Sequence, residues 1–246
     1  MERMILLFLS MIFIGGIAAV AAGGLEQDLI PTTGGNLKIS FLGHASLMFE
    51  FDKIVVHVDP VGDLAVYRKL PKADLVLLTH EHSDHLDEEV IELLHKPGTT
   101  DLILTAKAAG RMKSGTVMAN GQSLSRKGIE IEAVPAYNIV HMRSLGMPFH
   151  PKGEGNGYVL TFGDKRVYVA GDAENIPEMK NLKAIDIAFL PMNLPYTMTP
   201  EMTAAAARVI KPKILYPYHF GETDTSKLVG LLKNDKGIEV RIRNMQ

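Results

Sequence analysis

The sequence predicts an α/β or α+β fold, with strands in two groups and helices between them. Three observations support this class. Short apolar runs bounded by turn residues recur along the chain, which is typical of strands. Gly163-Asp164 lies between two such runs and predicts a tight hairpin. Asp87 and Thr199 each precede a helical pattern as candidate N-caps.

The first 21 residues are expected to be separate from this fold. An apolar run at residues 4–20 ends in Ala19-Val20-Ala21, which has the small-x-small pattern of a signal peptidase site. We therefore predict a signal peptide and a periplasmic or secreted protein; an uncleaved membrane anchor at residues 4–22 is the alternative. Residues 22–36, rich in Pro, Thr and Gly, are predicted to be a linker to a domain at residues 37–246.

The composition excludes several classes of function. The net charge is −2, so no basic excess favours a nucleic-acid partner. The chain contains no cysteine, which excludes disulfides, thiolate ligands and a cysteine nucleophile and suits an oxidising compartment.

The first half of the domain is predicted to contain five strands, all before residue 105. Strands are expected at residues 37–42, 47–51, 54–58, 75–78 and 102–104, and helices at residues 88–95 and 106–112. Residues 121–128 are polar and are predicted to form a turn.

The second half begins with a half-buried strand, because apolar and charged residues alternate after Gly128. This strand covers residues 128–134. Further strands are expected at residues 158–162, 166–170, 185–190, 213–216 and 238–242, and helices at residues 199–210 and 225–232.

A cluster of potential metal ligands follows the apolar run Leu75–Leu78. It contains His80, His82, Asp84 and His85 within six residues. Residues two apart in an extended segment point the same way, so His80 and His82 can reach one ion together, and Asp84 and His85 can face a neighbouring ion. The alternative, a charged surface loop before a helix, explains the acidic residues from Asp87 onward but not three histidines.

The pattern His80-x-His82-x-Asp84-His85 after a hydrophobic strand resembles the signature of the metallo-β-lactamase fold superfamily. Four other segments agree with it: Gly43-His44-Ala45-Ser46, His57-Val58-Asp59-Pro60, Ala170-Gly171-Asp172 and Tyr216-Pro217-Tyr218-His219-Phe220. Together they resemble the branch that includes the ascorbate-phosphate lactonase and the N-acyl phosphatidylethanolamine phospholipase D. The resemblance covers residues 37–246 and implies a four-layer αββα sandwich with a metallo-hydrolase site.

The resemblance also implies two divalent ions, most simply Zn²⁺, with Mn²⁺ or Fe²⁺ as alternatives. It implies that His219 joins Asp84 and His85 at the second ion and that Asp172 bridges both ions; a helix cap is the other interpretation of Asp172. The family has a third histidine at the first ion where this chain has Asn138, a weaker donor. Either the first ion has only His80, His82 and the bridging group, or a nearby histidine, His150 or His141, substitutes. We favour His150, which lies in a glycine-rich loop; the alternative is that both are ordinary histidines of a loop over the substrate.

Three residues have candidate roles beside the ions. Asp59 is a candidate partner for the second N–H of a metal-bound imidazole, and capping the turn before Pro60 is its alternative role. His44 is a turn histidine that the resemblance places near the metals. Tyr196 is a candidate hydrogen-bond donor to a substrate oxyanion, but packing within its loop is the role that we favour.

The implied function is a metal-dependent hydrolase that uses a metal-bridged hydroxide, with Asp84 orienting the water or taking up its proton. The expected substrate is a small-molecule or lipid-like ester, lactone or phosphodiester. The main alternative is a metal-binding protein of the same fold that binds a ligand with little turnover, which Asn138 would explain. An iron redox protein lacks support because the chain supplies no flavin domain, and antibiotic hydrolysis is disfavoured because the resemblance is to another branch.

Overall fold

Two mixed β-sheets of seven strands each form the centre of the fold. The computed structural model describes residues 25–245, so the predicted signal peptide or anchor at residues 1–21 lies outside the described residues. Within residues 25–245, no helix has the length and hydropathy needed to cross a membrane.

The first sheet is assembled in chain order, antiparallel from β1 to β4 and parallel from β4 to β7. Its strands are β1 (Gln27–Thr32), β2 (Gly35–Gly43), β3 (Ser46–Phe51), β4 (Ile54–Val58), β5 (Leu75–Leu77), β6 (Asp101–Leu104) and β7 (Thr116–Val117). The connections contain α1 (Leu64–Tyr67), α2 (Glu88–Leu94) and α3 (Ala106–Ala109).

The second sheet has parallel strands at one side and antiparallel strands at the other. Its members along the chain are β8 (Ser123–Arg126), β9 (Ile129–Ala136), β12 (Gly155–Phe162), β13 (Lys165–Val169), β14 (Ile187–Pro191), β15 (Ile214–Tyr218) and β16 (Glu239–Val240). The spatial order is β16-β15-β14-β13-β12-β9-β8. A small hairpin, β10 (Met142–Ser144) and β11 (Met147–Pro148), is inserted between β9 and β12, and the later helices are α4 (Pro200–Ile210) and α5 (Ser226–Leu232).

Strand β5 shows how the layers form. Leu75 and Leu77 point into the core between the two sheets, whereas Val76 and Leu78 point to the outer face, where they pack with residues of α2. Both faces are buried, so the strand is apolar throughout instead of alternating. Helices α4 and α5 contribute buried side chains to the core of the second sheet. The arrangement is the αββα sandwich that the resemblance implied.

Most predicted elements are confirmed, and the segment at residues 27–36 is a correction. It was predicted to be a linker, but β1 pairs with β2 along its whole length. Its buried Asp28 accepts hydrogen bonds from Tyr216 and Arg243. Pro31 fits because β1 is an edge strand, where a missing N–H is tolerated. Although β2 follows directly in the chain, the groups that bind the buried Asp28 lie more than 180 residues away, so no local pattern distinguishes this edge strand from a linker.

Smaller differences occur where elements are short. The predicted turn at residues 121–128 contains β8, and the helix predicted at residues 106–112 ends at Ala109. The last strand covers Glu239–Val240 instead of residues 238–242. Pairing across a sheet decides the two strands, and local propensity does not. Helix α3 ends before Gly110, its C-cap residue.

Candidate metal centre

The candidate metal centre lies where several parallel strands end. Asp59 follows β4, His80 follows β5, Asp172 follows β13 and His219 follows β15. The carboxyl ends of parallel strands in a sheet lie at the same edge, which is where α/β folds commonly bind ligands. The packing of the two sheets brings these edges together. His85 Nε2, on the side of the first sheet, lies 3.2 Å from Asp172 Oδ1, on the side of the second sheet.

The backbone turns sharply at several of these residues. His44, Asp59 and His219 have φ values of 48°, 44° and 47°, in the left-handed region that residues with a side chain rarely adopt. Such conformations cluster at functional sites, where the surrounding structure maintains them. Gly171 has a φ of 61°, and a Cβ there would lie 2.9 Å from the Asn156 carbonyl oxygen. Glycine is therefore required directly before Asp172.

The first group of potential ligands consists of His80, His82 and His150. His82 Nδ1 and His150 Nε2 lie 3.2 Å apart. Two nitrogens on one tetrahedral zinc ion, each about 2.0–2.1 Å from it, would be separated by about 3.3 Å. The first group therefore has the spacing of a three-histidine metal site.

Hydrogen bonds to the other ring nitrogen orient two of these imidazoles. Thr79 Oγ1 donates to Asp59 Oδ2, so it accepts from His80 Nδ1, which lies 3.0 Å away. His150 Nδ1 donates to Asn138 Oδ1 at 2.7 Å. Both imidazoles thus carry their proton on Nδ1 and leave Nε2 free to bind an ion, as is usual for metal-binding histidines.

The second group consists of His44, Asp84, His85 and His219. His85 Nδ1 donates to Asp59 Oδ2 at 2.8 Å, which leaves His85 Nε2 facing the centre. Asp59 is fully buried and also accepts from the backbone N–H and the hydroxyl of Thr79. Asp84 lies at the exposed side of the group, with Oδ2 3.2 Å from His44 Nε2 and 3.6 Å from His219 Nε2.

Asp172 lies between the two groups. Its Oδ2 is 3.3 Å from His150 Nε2 of the first group and 3.3 Å from His219 Nε2 of the second. Its Oδ1 is 3.2 Å from His85 Nε2. One carboxylate therefore contacts ligands of both groups, which is the position of a bridging ligand.

The electrostatics of the centre favour bound positive charge. Burial opposes protonation of His219, but Asp172 and Asp84 raise its pKa to about 9. Burial of Asp172 is likewise outweighed by His219 and His85, so its pKa lies well below its usual range. By contrast, burial and the neighbouring His85 lower the pKa of His80 well below its usual value. A divalent ion in this field would replace protons, which is the usual coupling of metal binding to pH.

The donors fit divalent ions. Five buried atoms at the centre have no hydrogen-bond partner among the described residues: His80 Nε2, His85 Nε2, both ring nitrogens of His219, and Asp172 Oδ1. A buried polar atom left unsatisfied costs roughly 1–3 kcal/mol, so five in one place need an explanation. Imidazole and carboxylate donors suit zinc, manganese or iron.

The structure brings together all six residues expected to bind metal, namely His80, His82, Asp84, His85, Asp172 and His219. His150 joins them, whereas His141 bonds to Glu174 at 2.7 Å and lies outside both groups. Asn138 also lies outside both groups and orients His150 instead. His44, expected beside the metal ligands, has its Nε2 only 3.2 Å from Asp84 Oδ2, and its ring is part of the second group.

Three supporting residues were not identified from the sequence. Thr79 links Asp59 to His80, and its only signal is a hydroxyl next to the histidine motif. Glu174 is fully buried and accepts from the backbone N–H groups of residues 139–141 and from Asn138. Its spacing of two from Asp172 is a weak signal. Arg143 has no local pattern that would have indicated its position beside the centre.

Two cavities open onto the centre. One, of about 260 Å³, is lined by His80 and His82 and by Met147 of β11. The other, of about 510 Å³, is lined by Asp84, His219 and Tyr196. Arg143, Phe149 and His150 line both. We call residues 138–150 the covering loop, because this segment borders both cavities.

Comparison with known proteins places the chain among metal-binding hydrolases. Residues 38–219 match the family described as the beta-lactamase superfamily domain. A UPF0173 metal-dependent hydrolase of Methanopyrus kandleri is 31% identical, covering 75% of this chain and 84% of the relative.

Solved structures agree with this assignment. A crystal structure from Parabacteroides distasonis, provisionally described as a metal-dependent hydrolase, has a TM-score of 0.85 and 47% identity, covering 91% of this chain and all (100%) of the other. Igni18, a metallo hydrolase of Ignicoccus hospitalis, shares the fold with a TM-score of 0.70 at 23% identity, covering 85% of this chain and 95% of the other. The relatives and the two groups of ligands together support a metal-dependent hydrolase. The chain therefore belongs to the metallo-β-lactamase superfamily.

Proposed function

We propose that the protein is a binuclear hydrolase that cleaves a carboxylic ester, a lactone or a phosphodiester. The observation that carries the proposal is the position of Asp172, whose carboxylate contacts imidazoles of both groups at 3.2–3.3 Å. Two cations held close together repel each other strongly, and a shared carboxylate reduces that repulsion. Two ions about 3.5–4 Å apart are typical of hydrolases that act on phosphate and acyl compounds.

The proposed ions are most simply Zn²⁺, with Mn²⁺ or Fe²⁺ as alternatives. We assign the first group to one ion, and Asp84, His85 and His219 of the second group to the other, with Asp172 shared. His44 contacts Asp84 at the exposed side. The absence of cysteine from the sequence removes thiolate ligands, so the donors are nitrogen and oxygen only.

Bound divalent ions of this kind supply Lewis acidity and make water acidic enough to act as a nucleophile near neutral pH. The side chains supply orientation. Interactions with the nearby His219 and His44 outweigh the effect of burial and hold the pKa of Asp84 well below its usual range. Asp84 therefore stays ionised and can accept a hydrogen bond from the attacking water. Tyr196, in the cavity beside Asp84, is placed to donate to a developing oxyanion.

The alternative of a ligand-binding protein with little turnover rested on Asn138. Asn138 bonds to His150, and His150 completes the first group. The feature that favoured the alternative therefore supports a three-histidine site instead.

We also propose that the protein is exported, either released after cleavage or anchored by residues 4–22, and that it acts on a small-molecule or lipid-like substrate without a nucleic-acid partner. The apolar N-terminal sequence and the net charge of −2 support these proposals. N-terminal sequencing of protein recovered from each cell fraction tests them. A full-length chain recovered from the cytoplasm would contradict export.

The function is tested by purifying the protein, measuring its metal content, and assaying esters, lactones and phosphodiesters. We expect about two ions per chain and hydrolysis that is lost on chelation and restored by added metal. His82→Ala is expected to lose metal from the first group and most of the activity. His95→Ala is the matched control, because His95 caps the end of α2 and belongs to neither group. Activity that survives both chelation and His82→Ala would overturn the proposed function.

A further inference from the structure

The covering loop exposes an unusual number of apolar side chains. Five of them are at least 40% exposed, and Leu145 at the tip is fully exposed: Ile139, Val140, Met142, Leu145 and Met147. Single exposed apolar residues are ordinary on protein surfaces, but five within nine consecutive residues beside a cavity are typical of a binding surface. Leu194 and Tyr196 are exposed on the loop that borders the second cavity.

The apolar surface continues into the centre. Met147 is 60% exposed and yet lines the cavity that contains His80 and His82. Phe149 follows it and packs edge-on against Tyr196, with ring centroids 5.1 Å apart. An apolar chain lying along Met147 would therefore extend from the solvent into the cavity of the first group, beside the charged side chains of Arg143 and Lys107.

The covering loop also provides a positive charge. Arg143 lines both cavities, and its guanidinium carbon lies 5.8 Å from the centroid of the Phe149 ring. Within residues 25–245 it forms no ion pair. Lys107, the other cation at the first cavity, is paired with Glu154. An unpaired guanidinium beside apolar surface is well suited to bind a phosphate or a carboxylate.

We propose that the covering loop selects an amphiphilic anionic substrate. Arg143 binds a phosphate or carboxylate group close to the scissile bond, and Met147 with its exposed apolar neighbours binds an alkyl or acyl chain. The proposal rests on the proposed function, because it places the scissile bond at the adjacent metal groups. A flat membrane or a second copy of the chain would cover the tip at Leu145, but it would leave Met147 and Arg143 inside the cavities unused.

The test measures binding, so that it does not depend on turnover. Ethyl phosphate and octyl phosphate are titrated into the full-length, metal-loaded protein by calorimetry, below the concentration at which octyl phosphate forms micelles. Each buried methylene group raises affinity roughly fourfold. We therefore expect octyl phosphate to bind at least tenfold more tightly than ethyl phosphate.

Three variants separate the two contacts. Met147→Ser is expected to lower the octyl-to-ethyl affinity ratio several-fold without abolishing it, because the other apolar side chains of the covering loop remain. Arg143→Gln is expected to weaken both phosphates about tenfold and to leave their ratio unchanged. Val229→Ser is the control, because Val229 is an exposed apolar residue of α5 outside both cavities, and it should change neither affinity. Circular dichroism verifies that each variant is folded.

Several results would overturn the inference. These are a ratio near one for the native protein, a ratio that Met147→Ser does not change, a chain-length preference that appears only with micelles or vesicles, and a change of oligomeric state in Met147→Ser. The inference and the proposed function fail separately. A chain-length preference without hydrolysis of any substrate would contradict only the reaction, whereas hydrolysis with a ratio near one would contradict only the amphiphile.

Discussion

The strand ends and the covering loop contribute to the same centre but differ in how they are held. Asp59, His85 and His219 at the strand ends are almost completely buried between the sheets and their helices. The covering loop is largely exposed, and its small hairpin pairs with no other strand of residues 25–245. Its attachment depends on Glu174, which accepts three backbone N–H groups from residues 139–141.

This difference suggests a division of labour. In the proposed function, the strand ends would hold the ions with side chains that the core keeps fixed, whereas the covering loop would provide one ligand, His150, and the surface that meets the substrate. Binding surfaces placed on loops over a rigid scaffold can vary without loss of the fold. Changes at the strand ends should therefore affect metal and all substrates alike, and changes in the covering loop should affect substrates selectively.

The largest expected effect is at Asp172. Asp172→Asn keeps the shape but removes the charge that faces both groups, so the protein should bind fewer than two ions and lose at least about 10³-fold in activity. Metal analysis and steady-state kinetics measure this. Asp164→Asn, in the exposed β12–β13 turn, is the control and should bind metal normally. Two ions with near-native activity in Asp172→Asn would remove the bridging role.

His57 of β4 is a buried histidine outside both groups of potential metal ligands, so its protonation tests the effect of burial separately from metal binding. Burial lowers its pKa to about 4, although a hydrogen bond to the Pro71 carbonyl opposes this. The unfolded chain takes up the proton near pH 6.5, so between pH 6.5 and 4 the unfolded state binds more protons and the free energy of unfolding decreases as the pH falls. The loss amounts to about 3 kcal/mol and is absent above pH 6.5.

Urea unfolding in the presence of a chelator, from pH 4 to 8, tests this dependence. His57→Gln cannot titrate, so its free energy of unfolding should decrease less between pH 6.5 and 4 than that of the native protein. The metal-binding histidines titrate in both proteins and cancel in the difference. Parallel curves for the two proteins would show that His57 does not resist protonation.

Asp59 tests whether the strand ends act through orientation. Asp59→Asn offers one accepting oxygen where the carboxylate accepts from Thr79 twice and from His85. Metal affinity of the second group should fall 10–100-fold, as is typical for partners of metal ligands. Competition with a chromophoric chelator measures it. Asp63→Asn, at the N-cap of α1, is the control, and an unchanged affinity in Asp59→Asn would limit Asp59 to a turn.

The smallest expected effect is at Glu174. Glu174→Gln replaces one accepting carboxylate oxygen with an amide nitrogen, which cannot accept a hydrogen bond. The backbone N–H groups at residues 139–141 should therefore exchange hydrogen faster. Metal affinity should fall only a few-fold, because the remaining strand-end ligands are untouched. Hydrogen exchange followed by mass spectrometry localises the change. Unaltered exchange in the covering loop would show that Glu174 does not hold it.

The same contrast explains which residues could be found from the sequence. The histidine motif after β5 and the Gly171-Asp172 pair carry local signals, because the strand and its ligands are adjacent in the chain. The glycine-rich surroundings of His150 indicate a ligand role from the sequence. Nothing in the sequence indicates that Asn138 orients His150 instead of binding an ion itself. Thr79 and Glu174 act through hydrogen bonds to residues far away in the chain, and Arg143 reaches the cavities only through the fold of its loop. No hydrophobic periodicity or ligand spacing in the sequence indicates these three residues.

The sequence by itself determined the class of the fold, most of its strands, and the four potential ligands of the histidine motif, since hydrophobic periodicity and ligand spacing are local properties. The resemblance to a known family added Asp172 and His219, which lie far from that motif in the chain. The tertiary structure alone decided that residues 27–32 form an edge strand, that His150 completes the first group, and that an exposed apolar loop with an unpaired Arg143 borders the centre. These outcomes depend on which distant groups supply hydrogen bonds and burial. That information arises only when the two sheets pack together.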